Sequence, residues 1–373
     1  MLLALTGCRQ GQSTSTASAQ ELREAAAFPI PADRLTDDSA RLFAGLPAKP
    51  GSAFAALETE AFWKQHASQS DRGWRRFLTQ RQPLMRDFAL AQLADAPLTR
   101  PTLFYPFGGP DIMTAQTLFP KASTYVLVGL EPPGTLPDAR ELQASAQSYL
   151  PKLRSSLGSI LSKSFFVTRE MDRQLRGQSA DGLLPVMLIE LVRNGNTVRG
   201  LRYITLEAGG RWINREAGEP GINDGVVVEF ASTDNAVHRL VYFSVNLHND
   251  KYTANSAFHH FVANLGPRAA MFKSTSYMPH RDEFSLIRTQ VLEQADSVVQ
   301  DDSGIPYRFF EPANWEVKLY GAYEQPYGSF KYRRQEDLRD AFTDPAHVSE
   351  LPFSIGYGFG RMKSNLLVAR RRR

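Results

Sequence analysis

Three short strings in this chain set chemically able side chains close together. Lys273 to His280 (KSTSYMPH) puts a cation, the hydroxyls of Ser274, Ser276 and Tyr277, and an imidazole within eight positions. A serine beside a lysine or histidine is the raw material of an activated nucleophile. Neither serine stands in a glycine-flanked elbow, however, and hydroxyls ahead of Asp282 equally suit the cap of a following helix. Gln300 to Phe310 (QDDSGIPYRFF) opens on adjacent carboxylates. In a strand Asp301 and Asp302 point to opposite faces; in a loop both can reach a cation, yet no third and fourth oxygen ligand stands at a recognisable spacing. Ser303-Gly304 and Pro306 are turn residues, and Asp301 is suited to accept amide hydrogen bonds there. Asp302, Tyr307 and Arg308 join a carboxylate and a cation to an aromatic face, a set suited to sugars or peptide termini. In Tyr105 to Asp111 (YPFGGPD), Gly108 and Gly109 let the backbone approach a ligand, and amides at the next helix start can hold an anion. Glu131 follows Asp111 by twenty positions, where nucleotide-binding sheets place a carboxylate for ribose hydroxyls.

The glycine loop and Glu131 together are similar to class I S-adenosylmethionine-dependent methyltransferases over residues 102 to 131. The resemblance implies a Rossmann-like sheet and, in a cytoplasmic protein, a methyltransferase-like nucleotide-binding enzyme. The loop departs from that family by reading GGPD where a third glycine belongs, and Pro110 removes a donor amide. The histidines add little. His259 and His260 face different directions on a helix, and His238 and His248 flank a hairpin strand without an acidic partner pattern, so no metal centre is expected.

Cys8 is the only cysteine among 373 residues and follows Leu5-Thr6-Gly7. This tetrad resembles the lipobox of bacterial lipoproteins, in which the signal peptide is cut before the cysteine and the sulfur is acylated. Met1 to Gly7 is shorter than a complete signal peptide, so the natural start is expected upstream. The polar stretch Arg9 to Gln20 (RQGQSTSTASAQ) reads as a flexible tether. A chain with no second thiol is compatible with an oxidising compartment. Arg9, where the family's inner-membrane retention signal has an aspartate, implies an outer-membrane anchor facing the periplasm.

Composition bounds the remainder. The hydrophobic share of 42% supports a core for one large domain or two coupled ones, and nothing after Cys8 approaches the ~18 apolar residues of a membrane span. The 43 basic and 39 acidic groups are dispersed, whereas a nucleic-acid binder concentrates its charge. The one dense cluster, Arg370 to Arg373, reads as a solvated tail in preference to a contact with anionic lipid.

The elements that must position these strings follow from periodicity. Residues 1–8 read as truncated signal peptide and lipobox, 9–35 as tether, 36–100 as a helical cap broken or kinked at Pro83, and 101–373 as an α/β domain. Thr102 to Phe107 and Thr124 to Leu130 are continuous apolar runs, which a strand covered on both faces requires. They flank a short helix at Ile112 to Phe119, and Asp138 to Ser162 is helical, in two pieces at Pro151 and Gly158. Leu184 to Val192 and Val198 to Leu206 are expected as a hairpin about Asn194-Gly195-Asn196, and Val226 to Phe230 and Arg239 to Val245 as another, together forming an insertion over 184–247. Helices at Ala254 to Leu265 and Glu283 to Ala295 alternate with strands at Ala270 to Lys273, Ser297 to Gln300, Trp315 to Tyr320 and Asn365 to Ala369. The fold class is α/β: a three-layer Rossmann-like mixed sheet with inserted antiparallel hairpins and an N-terminal helical cap.

Two function classes fit. One is an envelope lipoprotein that binds a small molecule, glycan or protein partner at its strand-end loops, with no nucleic acid. The other is an envelope hydrolase using Lys273, Ser276, His280 and Asp302. Both expect Asp111, Glu131, Lys273 and Asp302 to converge at the carboxyl edge of the sheet.

Overall fold

The computed structural model describes residues 30, 32–95, 98–163, 177, 180–219, 221, 223–361 and 363–372. Cys8 and most of the expected tether lie outside the described residues. Apolar runs dictate the centre. β1 (Thr102–Tyr105), β2 (Thr124–Gly129), β7 (Arg268–Phe272) and β8 (Ser297–Gln300) are almost wholly buried, and they pair in parallel with β6 (Val237–Ser244) in the order β6-β2-β1-β7-β8. The chain steps outward from β1 through β2 to β6, then returns past β1 to β7 and β8. The switch point of this doubly wound sheet therefore lies between β1 and β7, where such sheets open a crevice at their carboxyl ends.

Antiparallel strands extend both edges. β5 (Gly225–Ala231), β3 (Thr197–Leu206) and β4 (Trp212–Asn214) continue outward from β6. On the other side β11 (Asn365–Arg371) runs antiparallel between β8 and β9 (Trp315–Gly321), and β10 (Val348–Ser349) closes the eleven-stranded sheet.

Alternation along the central strands separates two cores. Leu103, Tyr105, Tyr125, Leu127, Met271 and Val299 face one layer of helices: Arg34–Ala44, Ala61–Arg76, Gln82–Gln92, Ile112–Leu118, Ala139–Ser156 and Leu184–Arg193. Phe104, Val126, Val128, Ala270, Phe272 and Val298 face the helices Ala257–Ala263 and Ser285–Gln294. The cap helices thus share a core with the sheet. The expected tether boundary is crossed by packed structure, since Ile30 is buried in the second core and the Asp33 carboxylate caps the helix Arg34–Ala44 by accepting from Leu35 N at 2.9 Å. At Pro83 the chain does not break. A π-turn over Phe77–Arg81 widens the backbone just before Gln82–Gln92, where the missing proline amide costs least.

Leu184–Arg193 is a helix, which corrects the expected strand. All ten residues are buried, so the run carries no amphipathic stripe, and periodicity alone cannot tell such a helix from a buried strand. Asn194-Gly195-Asn196 ends it: Gly195 takes φ +87°, and Asn196 N donates to Leu191 O at 3.1 Å. The same positive-φ chemistry serves a hairpin turn or a helix C-cap. β3 pairs instead with β4 and β5.

The arginine cluster is also structural where it is described. Arg370 is buried in β11, 3.2 Å from Asp95 and 2.9 Å from the Gln92 carbonyl, while Arg371 lies over the Trp315 ring at 4.6 Å. These residues tie the last strand to the cap and to the helix Ser285–Gln294, in place of a solvated tail. Arg370→Ala is expected to cost about 1–3 kcal/mol, through the lost packing of a buried side chain and its hydrogen bonds to the Gln92 carbonyl and the exposed Asp95 carboxylate, read as a lowered urea midpoint. A change within ~0.5 kcal/mol would restore the tail reading.

Candidate functional site

The switch point is filled by the chain itself. Asp111 caps the helix Ile112–Leu118 by accepting from Thr114 N at 3.3 Å, and its other oxygen accepts the Tyr105 hydroxyl at 3.1 Å and forms an ion pair with Lys273. Lys273 also donates to Thr114 Oγ1 at 3.3 Å, and both members of the pair are buried. Glu190, from the unforeseen helix, accepts from Met113 N at 2.8 Å. Burial, then the neighbouring Asp111 charge, pushes the Glu190 carboxyl well above the usual range.

The glycine loop packs tightly. A Cβ at Gly108 would stand 2.7 Å from the Tyr105 ring, and Gly109, at φ +58°, donates to Val128 O at 3.0 Å. At the end of β2 the Tyr242 hydroxyl donates to the Glu131 carbonyl at 2.7 Å and lies against Gly129. Protein groups thus fill the space beside Gly108, Gly109 and Glu131.

The KSTSYMPH and QDDSG loops interlock beside this pair. Asp301 accepts from Ser274 N at 2.9 Å and Ser303 N at 3.0 Å, the amide-binding role expected of a turn aspartate. Thr275 N donates to Ser303 Oγ at 2.9 Å. Ser274, Ser276 and Tyr277 all take left-handed backbone, with φ of 53°, 56° and 54°. Three such residues within four positions store strain that only a well-determined surrounding retains, and strain of this kind clusters at functional loops.

Asp302 is buried among polar partners. Its carboxylate accepts the Tyr277 hydroxyl and, at 3.0 Å, Asn365 Nδ2, while its amide donates to Asn365 Oδ1 at 2.7 Å. Burial, then the adjacent Asp301 charge, pushes the carboxyl up to about 7. Asp302 lines a pocket of about 410 Å³ with Tyr323, Tyr327, Tyr357, Lys363 and Asn365. The ends of β8 and β9 and the start of β11 meet at this one edge, which places the pocket two strands, β7 and β8, away from the switch point. Tyr357 stacks with Tyr277, at 6.0 Å and 8°, and with Tyr327, at 5.3 Å and 17°.

The four candidate hydrolytic residues have four different sets of partners. Lys273 is committed to Asp111 and Thr114, and Ser276 Oγ bonds the Tyr357 hydroxyl at 3.2 Å. His280 Nε2 bonds the Asp302 carbonyl at 3.2 Å; a carbonyl only accepts, so that nitrogen carries the proton. Burial, the main cause, holds the imidazole down to about 4. Of the residues expected to converge, Asp111, Lys273 and Asp302 gather on one edge, but only Asp302 lines the pocket, and Glu131 stands apart at the end of β2. Tyr307 and Arg308 do not join Asp302: Tyr307 N donates to Gln335 Oε1 at 2.7 Å, and Arg308 is exposed beside the Phe309 ring. His248 has the acidic partner that its sequence context lacked, Asp250 at 2.6 Å. Sequence reasoning leaves out Tyr327, Tyr357, Lys363 and Asn365; the tyrosine- and glycine-rich strings over 320–334 and 356–360 were the available signal.

No protein-family model, curated protein or solved structure matches this chain.

The opposite shifts at Asp302 and His280 predict opposing pH dependences. A carboxyl raised to about 7 keeps its proton in the fold after the unfolded chain has lost it, so this contribution makes stability fall as pH rises from about 4 to 7. An imidazole lowered to about 4 is protonated first in the unfolded chain, so its contribution makes stability rise from pH 4 to about 6.5. Urea unfolding across this range should show a steeper rise for Asp302→Asn and a steeper fall for His280→Gln, each by up to about 1.4 kcal/mol per pH unit. Profiles parallel to the unsubstituted protein in both variants would contradict these assignments.

Proposed function

We propose that the chain is a lipid-anchored envelope protein that binds a neutral, ring-bearing polyol such as a sugar in the cleft between Asp302 and the tyrosine stack. The observation that carries this reading is the stacked Tyr327 and Tyr357 rings beside the Asp302 and Asn365 polar groups in a pocket of about 410 Å³, with the buried Tyr277 ring behind Tyr357. Sugar rings pair apolar faces with hydroxyl rims, so an aromatic wall joined to a few fixed donors and acceptors is complementary to them. The strained Ser274 to Tyr277 loop supports the reading, because it fixes Tyr277 against Asp302. The lipobox-like Leu5-Thr6-Gly7-Cys8 supports the location.

A nucleotide-binding enzyme is the reading that the strand order favours. β6-β2-β1-β7-β8 is the doubly wound order, and a reversed β11 ahead of β9 is similar to the class I methyltransferase sheet already suggested by residues 102–131. Against it, Tyr242 and the Lys273–Asp111 pair occupy the positions that a cofactor would take. The separate commitments of Lys273, Ser276 and His280 likewise weigh against hydrolysis, which needs a base within hydrogen-bond reach of its nucleophile.

Calorimetric titration with neutral mono- and disaccharides should give saturable binding by at least one of them, weakened about two- to twelve-fold by Tyr357→Ala, since an aromatic contact is worth about 0.5–1.5 kcal/mol beyond its area. Absence of binding by all of them, or affinity indifferent to Tyr357, would reject the sugar cleft. For the anchor, mass spectrometry of the membrane fraction should find a mature N-terminal peptide that starts at acylated Cys8. An unmodified peptide spanning Met1 to Cys8 would contradict it.

A further inference from the structure

A second cavity, of about 550 Å³, lies between the helical cap and the chain that follows β10. Phe77, Leu84, Leu161, Leu351, Phe353 and Phe359 supply an apolar wall, and Arg76 and Glu350 stand exposed at its rim. One cation lies on this wall. Arg81 closes the π-turn, and its guanidinium sits 4.5 Å from the Phe77 ring centre and 5.0 Å from that of Phe359. Among the described residues no carboxylate, carbonyl or hydroxyl accepts a hydrogen bond from Arg81, and its Nε is shut off from solvent without a partner.

That arrangement is expensive unless something satisfies it. A guanidinium carries five donors in a planar fork, and here Nε is withdrawn from water without an acceptor, which costs about 1–3 kcal/mol. Asp111 and Glu190 act on Arg81 only through space, and burial, the largest influence, holds its pKa down to about 10. The two aromatic faces offset part of the cost as cation–π contacts, but they leave the edge donors unfilled. The wide turn also matters. A π-turn displaces the residues that follow it relative to a regular helix, and such turns recur at functional sites.

We infer that this cavity binds an amphipathic carboxylate, with Arg81 holding the carboxylate edge-on and the phenylalanine and leucine wall taking an apolar chain. The fork of Arg81 matches a carboxylate bidentately, so the charged end is fixed at one place. The volume falls within the range of small-molecule sites, and the apolar lining selects against compact hydrophilic anions. This site is separate from the tyrosine cleft, although both cavities touch Ala322.

The test is a titration of the full chain with decanoate, with decan-1-ol as the neutral analogue. Decanoate should saturate one site, bind at least tenfold more tightly than decanol, and lose that advantage in Arg81→Gln. Leu351→Trp, which fills the cavity and leaves Arg81 in place, should abolish decanoate binding while retaining a cooperative unfolding transition. This second variant decides the matter if Arg81→Gln fails to fold. No decanoate binding to the unsubstituted protein, equal affinity for decanoate and decanol, or undiminished binding in either folded variant would overturn the inference.

Discussion

The ion pair of Lys273 and Asp111 at the switch point is the constraint on which the surrounding architecture depends. Both side chains are withdrawn from water, and a buried pair repays its desolvation only when its geometry is held and its remaining lone pairs and protons are satisfied. Tyr105 and Thr114 meet that requirement from β1 and the following helix, while Lys273 is fixed by leaving β7. The pair therefore cross-links two adjacent strands and a helix at the place where a doubly wound sheet would ordinarily part. Removing either member would leave an uncompensated buried charge, which is far more damaging than the net worth of the pair.

Closure at that place moves the accessible edge elsewhere. With β1, β7 and β2 capped by packed tyrosines and glycines, the cleft forms where β8 ends and β11 begins, and there the polar groups are differently arranged. Asp301 serves its own loop through two amides, leaving Asp302 to face Tyr277, Asn365 and the pocket. Adjacent carboxylates thereby divide into one that builds the turn and one that faces the pocket. Burial of both raises both carboxyls, since two neighbouring charges out of water cannot both be cheap.

Legibility in the sequence followed the range of the interactions involved. Strands such as Thr102–Tyr105 and Thr124–Gly129 were readable because burial on both faces demands continuous apolar residues. Leu184–Arg193 was misread for the same reason: with every residue buried, helix and strand leave one signature, and Gly195 satisfies the turn chemistry of either. Asp302 was identifiable as a site residue, but its partners Tyr357 and Asn365 are joined to it by the reversed pairing of β11 with β8, a long-range register that local patterns do not encode. Arg370 shows the same limit. Four arginines at a chain end look solvated until β11 carries the first of them against Asp95 of the cap.

The buried network also sets the surroundings of Glu190 and Arg81. Lys273 is matched directly by Asp111, so Glu190 faces Asp111 in a medium that screens poorly, and burial together with that neighbouring charge raises its carboxyl. Arg81 feels Asp111 and Glu190 only through space, while its direct contacts are with the faces of Phe77 and Phe359. Asp111 is committed to Lys273 and Glu190 to the Met113 amide, which leaves the guanidinium to the aromatic wall of the cavity.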